Sequence, residues 1–248
     1  MRSVWQAVAF LFIVIFISLV FKLPAKFVYQ QFASNSPVHL SGISGSIWSG
    51  HAERVEIQQL VLKNLDWQLS PLALLLGKAD IEWAFNDEAA PLSGELTASS
   101  SQLVINNAQG SINLLAIAQR LPQQDIIFAG TVNLDSVELG LEQEKITHAA
   151  GNIEWQEAEL LSPQNIVLGG FSADLSRENE ALLIRLIDTG GAVSLLGDIQ
   201  FSINGQFEYL MKVAVRDTSA TGLLDAFNQL GQMDEDGRVT LQDRGKLF

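Results

Sequence analysis

Cysteine is absent from all 248 residues, which removes disulfide staples, thiolate metal sites and cysteine nucleophiles from consideration. A chain of this length can build its own core, so the lack of disulfides is permissive about compartment. Histidine is almost absent. His39, His51 and His148 are widely spaced and form neither an H-x-x-x-H nor an H-E-x-x-H pattern, so each reads as a solitary surface residue and no metal site is predicted. Basic residues are scarce as well: 15 Lys+Arg stand against 28 Asp+Glu, a formal charge of −13. Past Lys26, 12 basic residues face all 28 acidic ones, leaving that part at −16. Such a field is unsuited to nucleic acid, or to anionic headgroups met through the domain as a whole.

Recognisable catalytic sequences are missing too. Gly42 to Ile47 resembles a G-x-S-x-G elbow only superficially, with the wrong spacing, and no Walker-A or G-x-G-x-x-G run occurs. In an alternating strand Glu142 and Glu144 would share a face, but this pair and Glu157/Glu159 read as a solvated sheet surface. Asp234-Glu235-Asp236-Gly237 lacks the twelve-residue calcium-loop spacing and reads as an exposed hairpin turn with Asp-Gly at its tip. No catalytic, cofactor-binding or metal-binding residue is assigned.

What is present begins at the N-terminus. Val4 to Phe21 carries no ionisable side chain over eighteen residues, with Phe10, Ile13, Ile15 and Leu19 inside the run. As a helix it would span roughly 27 Å, close to the hydrocarbon thickness of a bilayer. A cleaved signal peptide fits less well, because a cut after Ala25 would place Leu23 where a small side chain is wanted. Arg2 on one side and Lys22 and Lys26 on the other nearly balance, so the flanking charges do not set orientation. The expectation is a single N-terminal transmembrane helix with its juxtamembrane continuation over residues 1–31, locally disturbed by Pro24, and an exported β-rich domain over 32–248.

From Val38 onward the text alternates. Val55–Leu62, Val132–Leu139, Ile199–Ile203 and Val213–Val215 have strand character, and glycine or asparagine sits between most such runs. The punctuation includes Gly45, Gly50, Gly94, Asn106-Asn107, Gly110, Gly130, Gly151, Gly169-Gly170, Gly190-Gly191, Gly205 and Gly237. Successive antiparallel hairpins follow: a mainly β, meander- or roll-like domain with two or three short helices. Ser70-Pro71 followed by Leu72, Leu74, Leu75, Leu76 and Gly77 predicts a short capped helix that plugs one end of a sheet. Ile112–Leu121, stopped by Pro122, and Thr218–Leu230 are the other candidates. Gly45 to Gly50 and Gly151 to Trp155 form a faint repeat of glycine and nearby tryptophan. Trp48, Trp67, Trp83 and Trp155 read as fillers of the core or rim.

Two motifs stand in order behind the apolar run: Gly45-Ser46-Ile47-Trp48-Ser49-Gly50, then Asp66-Trp67-Gln68-Leu69-Ser70-Pro71-Leu72 with Leu75 and Gly77. Gly205 to Tyr209, Leu230-Gly231 and Asp236-Gly237-Arg238-Val239 close the pattern. This order resembles protein N of the type II secretion system along essentially the whole chain. The resemblance implies a non-enzymatic, single-pass inner-membrane protein of a Gram-negative bacterium, with its β domain in the periplasm. Its partners would be other secretion components, met by strand addition among other modes. No catalytic residue is carried over, and Gly45, Trp48, Gly50, Trp67, Pro71, Leu72, Gly77 and Gly237 are expected to be architectural. The W-x-L-x-P-L-x-x-L-x-G text is also similar to AsmA-like β-groove proteins, so a lipid- or glycan-binding β module stands as the alternative.

Overall fold

A computed structural model of the chain describes residues 22–32, 36–122, 124–143, 145–216, 234–235 and 237–246. These form a single antiparallel sheet of fourteen strands. In chain order they are β1 (Val38–Ser41), β2 (Ser44–Gly45), β3 (Ser49–Ile57), β4 (Leu60–Leu69), β5 (Ala79–Phe85), β6 (Leu92–Ala98) and β7 (Gln102–Asn113). Then come β8 (Ile127–Glu142), β9 (Lys145–Ser162), β10 (Ile166–Glu178), β11 (Ala181–Gly190), β12 (Val193–Phe201), β13 (Gln206–Val215) and β14 (Arg238–Lys246). From β3 to β14 every strand pairs with its neighbours in sequence, while β1 and the short β2 both pair with β3. The expected meander is what the chain builds.

Three short helices occur among the described residues: α1 (Ala25–Phe32), α2 (Pro71–Leu75) and α3 (Leu114–Ala118). None is long and apolar enough to cross a membrane; the run Val4–Phe21 and the candidate helix Thr218–Leu230 lie outside the described residues. Pro24 stands ahead of α1, not within it, and makes an isolated bridge to Ser46. The expected helix Ile112–Leu121 shrinks to α3, because Ile112 and Asn113 still belong to β7 and the Asn113 side chain caps the helix by accepting the Ala116 N–H.

Two strand readings also change. Val55–Leu62 is not one strand but the end of β3 and the start of β4, joined by a tight turn at Gln58-Gln59, where Gln58 has φ +55°. Most of the glycines read as punctuation lie inside strands, at register shifts. At Gly130 the pairing slips between β8 and β9: Ala129 faces Glu159, yet Thr131 faces Gln156. The extra residue of β9 brings the Gln156 and Glu157 carbonyls to 2.5 and 2.6 Å from where a Gly130 Cβ would stand. At Gly151 the Val137 Cα and the Ser136 carbonyl crowd the same space. Bulges of this kind bend and twist long strands. The bulge also parts Glu157 from Glu159, so period-two reasoning does not put those carboxylates on one face.

Bending matters because, among the described residues, no second layer packs on the sheet. A cluster of buried apolar side chains, Val193, Val213 and Val239, is covered by Ile166, Leu168 and Phe171 of β10 reaching across β11. The sheet thus curls on itself to bury its own apolar rows. Elsewhere burial is thin and dominated by alanine: Ala52, Ala89, Ala90, Ala108 and Ala158.

One charged group is nevertheless fully enclosed. Asp87, in the loop between β5 and β6, is 2 % exposed. Arg120, two residues past α3, meets it with both terminal nitrogens at 2.6 and 2.7 Å and also donates to the Val61 carbonyl of β4. The Lys63 and Ala89 N–H groups donate to the same carboxylate, each at 2.8 Å. Arg120 and these hydrogen bonds outweigh burial and hold the Asp87 pKa at about 2, against 3.8 for a free aspartate. The clip joins β4, the β5–β6 loop and the α3 exit. Removing Arg120 alone would leave a buried, unpaired carboxylate, so R120A is expected to lower stability by about 3 kcal/mol in urea unfolding. D87A/R120A should cost less than the sum of the two single variants. Because the folded pKa lies below the unfolded one, the Asp87 contribution is complete above about pH 4 and fades as pH falls toward about 2. A stability difference between the wild type and the double variant that stays flat across this window would contradict the assignment.

Candidate functional site

The two sequence motifs meet at one end of the sheet. Gly45 of β2 faces Gly50 of β3 across a tight turn. Ser46 organises that turn: its hydroxyl oxygen accepts the Trp48 and Ser49 N–H groups, and its own N–H donates to the Ser49 carbonyl. Gly45 has φ +81°, and a Cβ there would stand 2.6 Å from the Ser49 carbonyl oxygen. The second motif closes over the first. Gly50 pairs with Trp67 of β4, whose ring lies against the glycine where a Cβ would be. The Trp67 Nε1 donates to the Ile47 carbonyl at 3.2 Å.

The row continues across the sheet. Trp67 faces Trp83 of β5, and Trp83 faces Gly94 of β6. A Gly94 Cβ would stand 2.8 Å from the Trp83 ring. Each indole therefore rests on a neighbouring glycine, burying ring surface while the glycine's backbone is shielded. Trp155 repeats the device in β9, with Gly130 beside it, its Nε1 donating to the Ala129 carbonyl and its ring between Phe128 and Phe171. The faint repeat seen in the sequence is thus not a repeated fold unit, since Gly151 serves a bulge and Gly50 a ring. What recurs is tryptophan over a cross-strand glycine.

The rest of the second motif shapes α2. The Ser70 hydroxyl accepts the Ala73 N–H, Pro71 occupies the first turn, and Gly77 at φ +77° ends it. The capped helix is as expected, but the plug is not. Only Ala73 is buried, while Leu72, Leu75 and Leu76 point into solvent. With just five residues, the helix offers the sheet a single inward position. Gly237 lies far along the chain, in the turn that opens β14, where its N–H donates to the Asp234 carbonyl.

Three carboxylates stand beside this row. Glu82 of β5 and Glu95 of β6 face each other beside the tryptophan row in a shallow depression that also takes in Asp66. Asp66 is engaged by His51 at 2.8 Å and by the Asn86 amide at 2.6 Å. Among the described residues, no group of three or more His, Asp or Glu is arranged to hold a metal ion.

Sequence reading missed the contacts that fix the entering chain. The Tyr29 hydroxyl of α1 donates to the Val38 carbonyl and accepts the Leu40 N–H, which binds α1 to the edge strand β1. The Ile47 N–H donates to the Leu23 carbonyl. A lone tyrosine in an eight-residue helix gives no pattern from which to foresee this. The interlock of the motifs is directly testable. Gly50→Ala must displace the Trp67 ring and should cost about 1–3 kcal/mol, with a change in near-UV circular dichroism. In a Trp67→Leu background the same glycine change should cost much less; equal costs in both backgrounds would contradict the contact.

A family model described as type II secretion system, protein N, matches residues 36–242. The type II secretion system protein N of Aeromonas hydrophila is 25 % identical over 248 residues, covering 97 % of this chain and 98 % of that protein. The protein of the same name from Vibrio cholerae serotype O1 is 23 % identical over 246 residues, covering 94 % and 95 %. No solved structure matches the chain. With the family model running from ahead of β1 into β14 and taking in both motifs, the chain belongs to the type II secretion system protein N family.

Proposed function

We propose that the protein is a non-enzymatic accessory component of the type II secretion system, anchored in the inner membrane by residues 1–31 and presenting residues 32–248 to the periplasm. The observation that carries this reading is the family match over residues 36–242, on a chain aligned with its relatives over nearly their whole length. The eighteen uncharged residues from Val4 to Phe21 support the anchor. The sequence offers no nucleophile–base motif, which supports a role in assembly instead of chemistry.

Partner contact by strand addition has a preferred edge. At β1 the Val38 carbonyl and Leu40 N–H are already taken by Tyr29. β14 pairs with β13 alone, and no other strand among the described residues lies beyond it. Its exposed Arg238, Thr240, Gln242, Asp243 and Arg244 discourage indiscriminate pairing while leaving backbone groups for a matched strand. Because the chain has no cysteine, Gln242→Cys is a unique probe. Deleting the gene should leave exoproteins folded in the periplasm and depleted from the medium, and the Gln242→Cys variant should cross-link through its thiol to another secretion component. Normal export together with no such cross-link would overturn the proposal.

A further inference from the structure

The turn Pro71–Leu76 carries an apolar surface that nothing in the described structure covers. Leu72, Leu75 and Leu76 are 73, 82 and 81 % exposed. One exposed leucine is ordinary; three on one protruding turn are not. No acidic residue occurs between Asp66 and Asp80, although the chain as a whole is strongly acidic, and Lys78 follows directly as an exposed cation.

Position supplies the occupant. The three-residue turn Ser46–Trp48 has two neighbours. On one side the Ile47 N–H donates to the Leu23 carbonyl at 3.1 Å, and on the other the Trp48 carbonyl accepts the Leu69 N–H at 2.7 Å. Leu69 leads straight through Ser70 into α2. The leucine turn therefore stands at the end of the sheet where the chain arrives from Phe21, the last residue of the uncharged run. From Phe21 to Leu23 is two residues, at most about 7 Å of chain. Lys22 and Lys26 are exposed at the same end, and Phe27 is 65 % exposed.

We infer that this end of the sheet rests on the bilayer, with Leu72, Leu75 and Leu76 inserted at the boundary between headgroups and acyl chains, and Lys78 at the phosphates. The inference rests on the membrane anchor proposed above. Leucines beside lysine, on a stretch of sequence without acid, have the composition of an interfacial segment, while Asp80, Glu82 and Glu95 line the hollow next to Ser70 and Pro71. Tethering by the anchor raises the local concentration of the turn at the surface, so a small apolar contact is enough to hold it there. The acidity of the remaining domain then turns the rest of the sheet away from anionic lipid.

The test uses the full chain in vesicles of phosphatidylethanolamine with a minority of phosphatidylglycerol. Leu75→Cys carries an environment-sensitive fluorophore, and Leu210→Cys, on half-exposed Leu210 nine strands farther along the sheet, is the reference. Lipids bearing a nitroxide near the headgroup should quench the label at 75 by about twofold or more and leave the label at 210 unchanged. Retention through an alkaline wash reports the anchor separately. A chain washed off the vesicles overturns the anchor and the docking together. A retained chain whose label at 75 is reached by aqueous iodide as readily as the reference, and not by lipid nitroxide, overturns the docking alone. Shielding that develops only when another secretion component is added assigns the leucines to a protein partner and likewise overturns it. Leu72→Asp/Leu75→Asp/Leu76→Asp, which alters only exposed side chains, should keep the β-sheet circular dichroism and the anchor while exposing Lys78 to trypsin several-fold faster; an unchanged cleavage rate contradicts the docking.

Discussion

Two carbonyl oxygens, those of Gln156 and Glu157, turn into the space above Gly130. Any residue with a side chain at that position would force them out and straighten the strands. The same geometry recurs at Gly151, where the backbone of Ser136 and Val137 fills the space. These bulges let strands of 16 and 18 residues, β8 and β9, bend without losing their pairing. Register shifts continue in β10 between Gly169 and Phe171, where Phe171 and its neighbours pack against the valine cluster of β12 to β14 with no second layer among the described residues. The stability of the fold thus depends on close backbone approach as much as on side-chain volume. That accounts for a core in which valine and alanine prevail.

Around this curled sheet a few polar contacts fix what packing leaves loose. The buried Asp87–Arg120 pair does not make the sheet; it determines where the β5–β6 loop and the exit of α3 sit relative to β4. Asp188 plays a similar part near the other end. Burial would raise its pKa, but Arg216, the Leu195 N–H and the Ser194 hydroxyl outweigh that and lower it, tying the turn between β11 and β12 to the end of β13. Tyr29 fixes α1 to β1. The result is polarised: one edge is occupied by the protein's own helix, and the other ends in a charged strand.

Much of this was legible in the sequence, and the reasons for the exceptions are physical. Alternation and turn residues were sufficient for an antiparallel meander because each strand pairs with the next, so local pattern and global topology agree. The cap of α2 was legible for the same reason, since Ser70, Pro71 and Gly77 act within a few residues of one another. The glycines were misplaced because a glycine in a bulge and a glycine in a turn look identical in sequence; what separates them is the partner strand. The fate of Leu72, Leu75 and Leu76 depends on whether the sheet offers α2 one inward position or several, which no pattern within the helix encodes. Arg120 and Asp87 are 33 residues apart, and neither stands in a recognisable motif. The resting places of Trp67, Trp83 and Trp155 on Gly50, Gly94 and Gly130 emerge only once register is known.

The proposed role requires that the acidic sheet lie on the periplasmic side of the inner membrane, a point that the balanced charges of Arg2, Lys22 and Lys26 leave undecided. Paired fusions at Phe248 address it directly, one to a phosphatase active only outside the cytoplasm and one to a galactosidase active only within it. The account predicts an active phosphatase and an inactive galactosidase, with the domain digested when protease is added to spheroplasts. An active galactosidase on a protease-protected domain would contradict it.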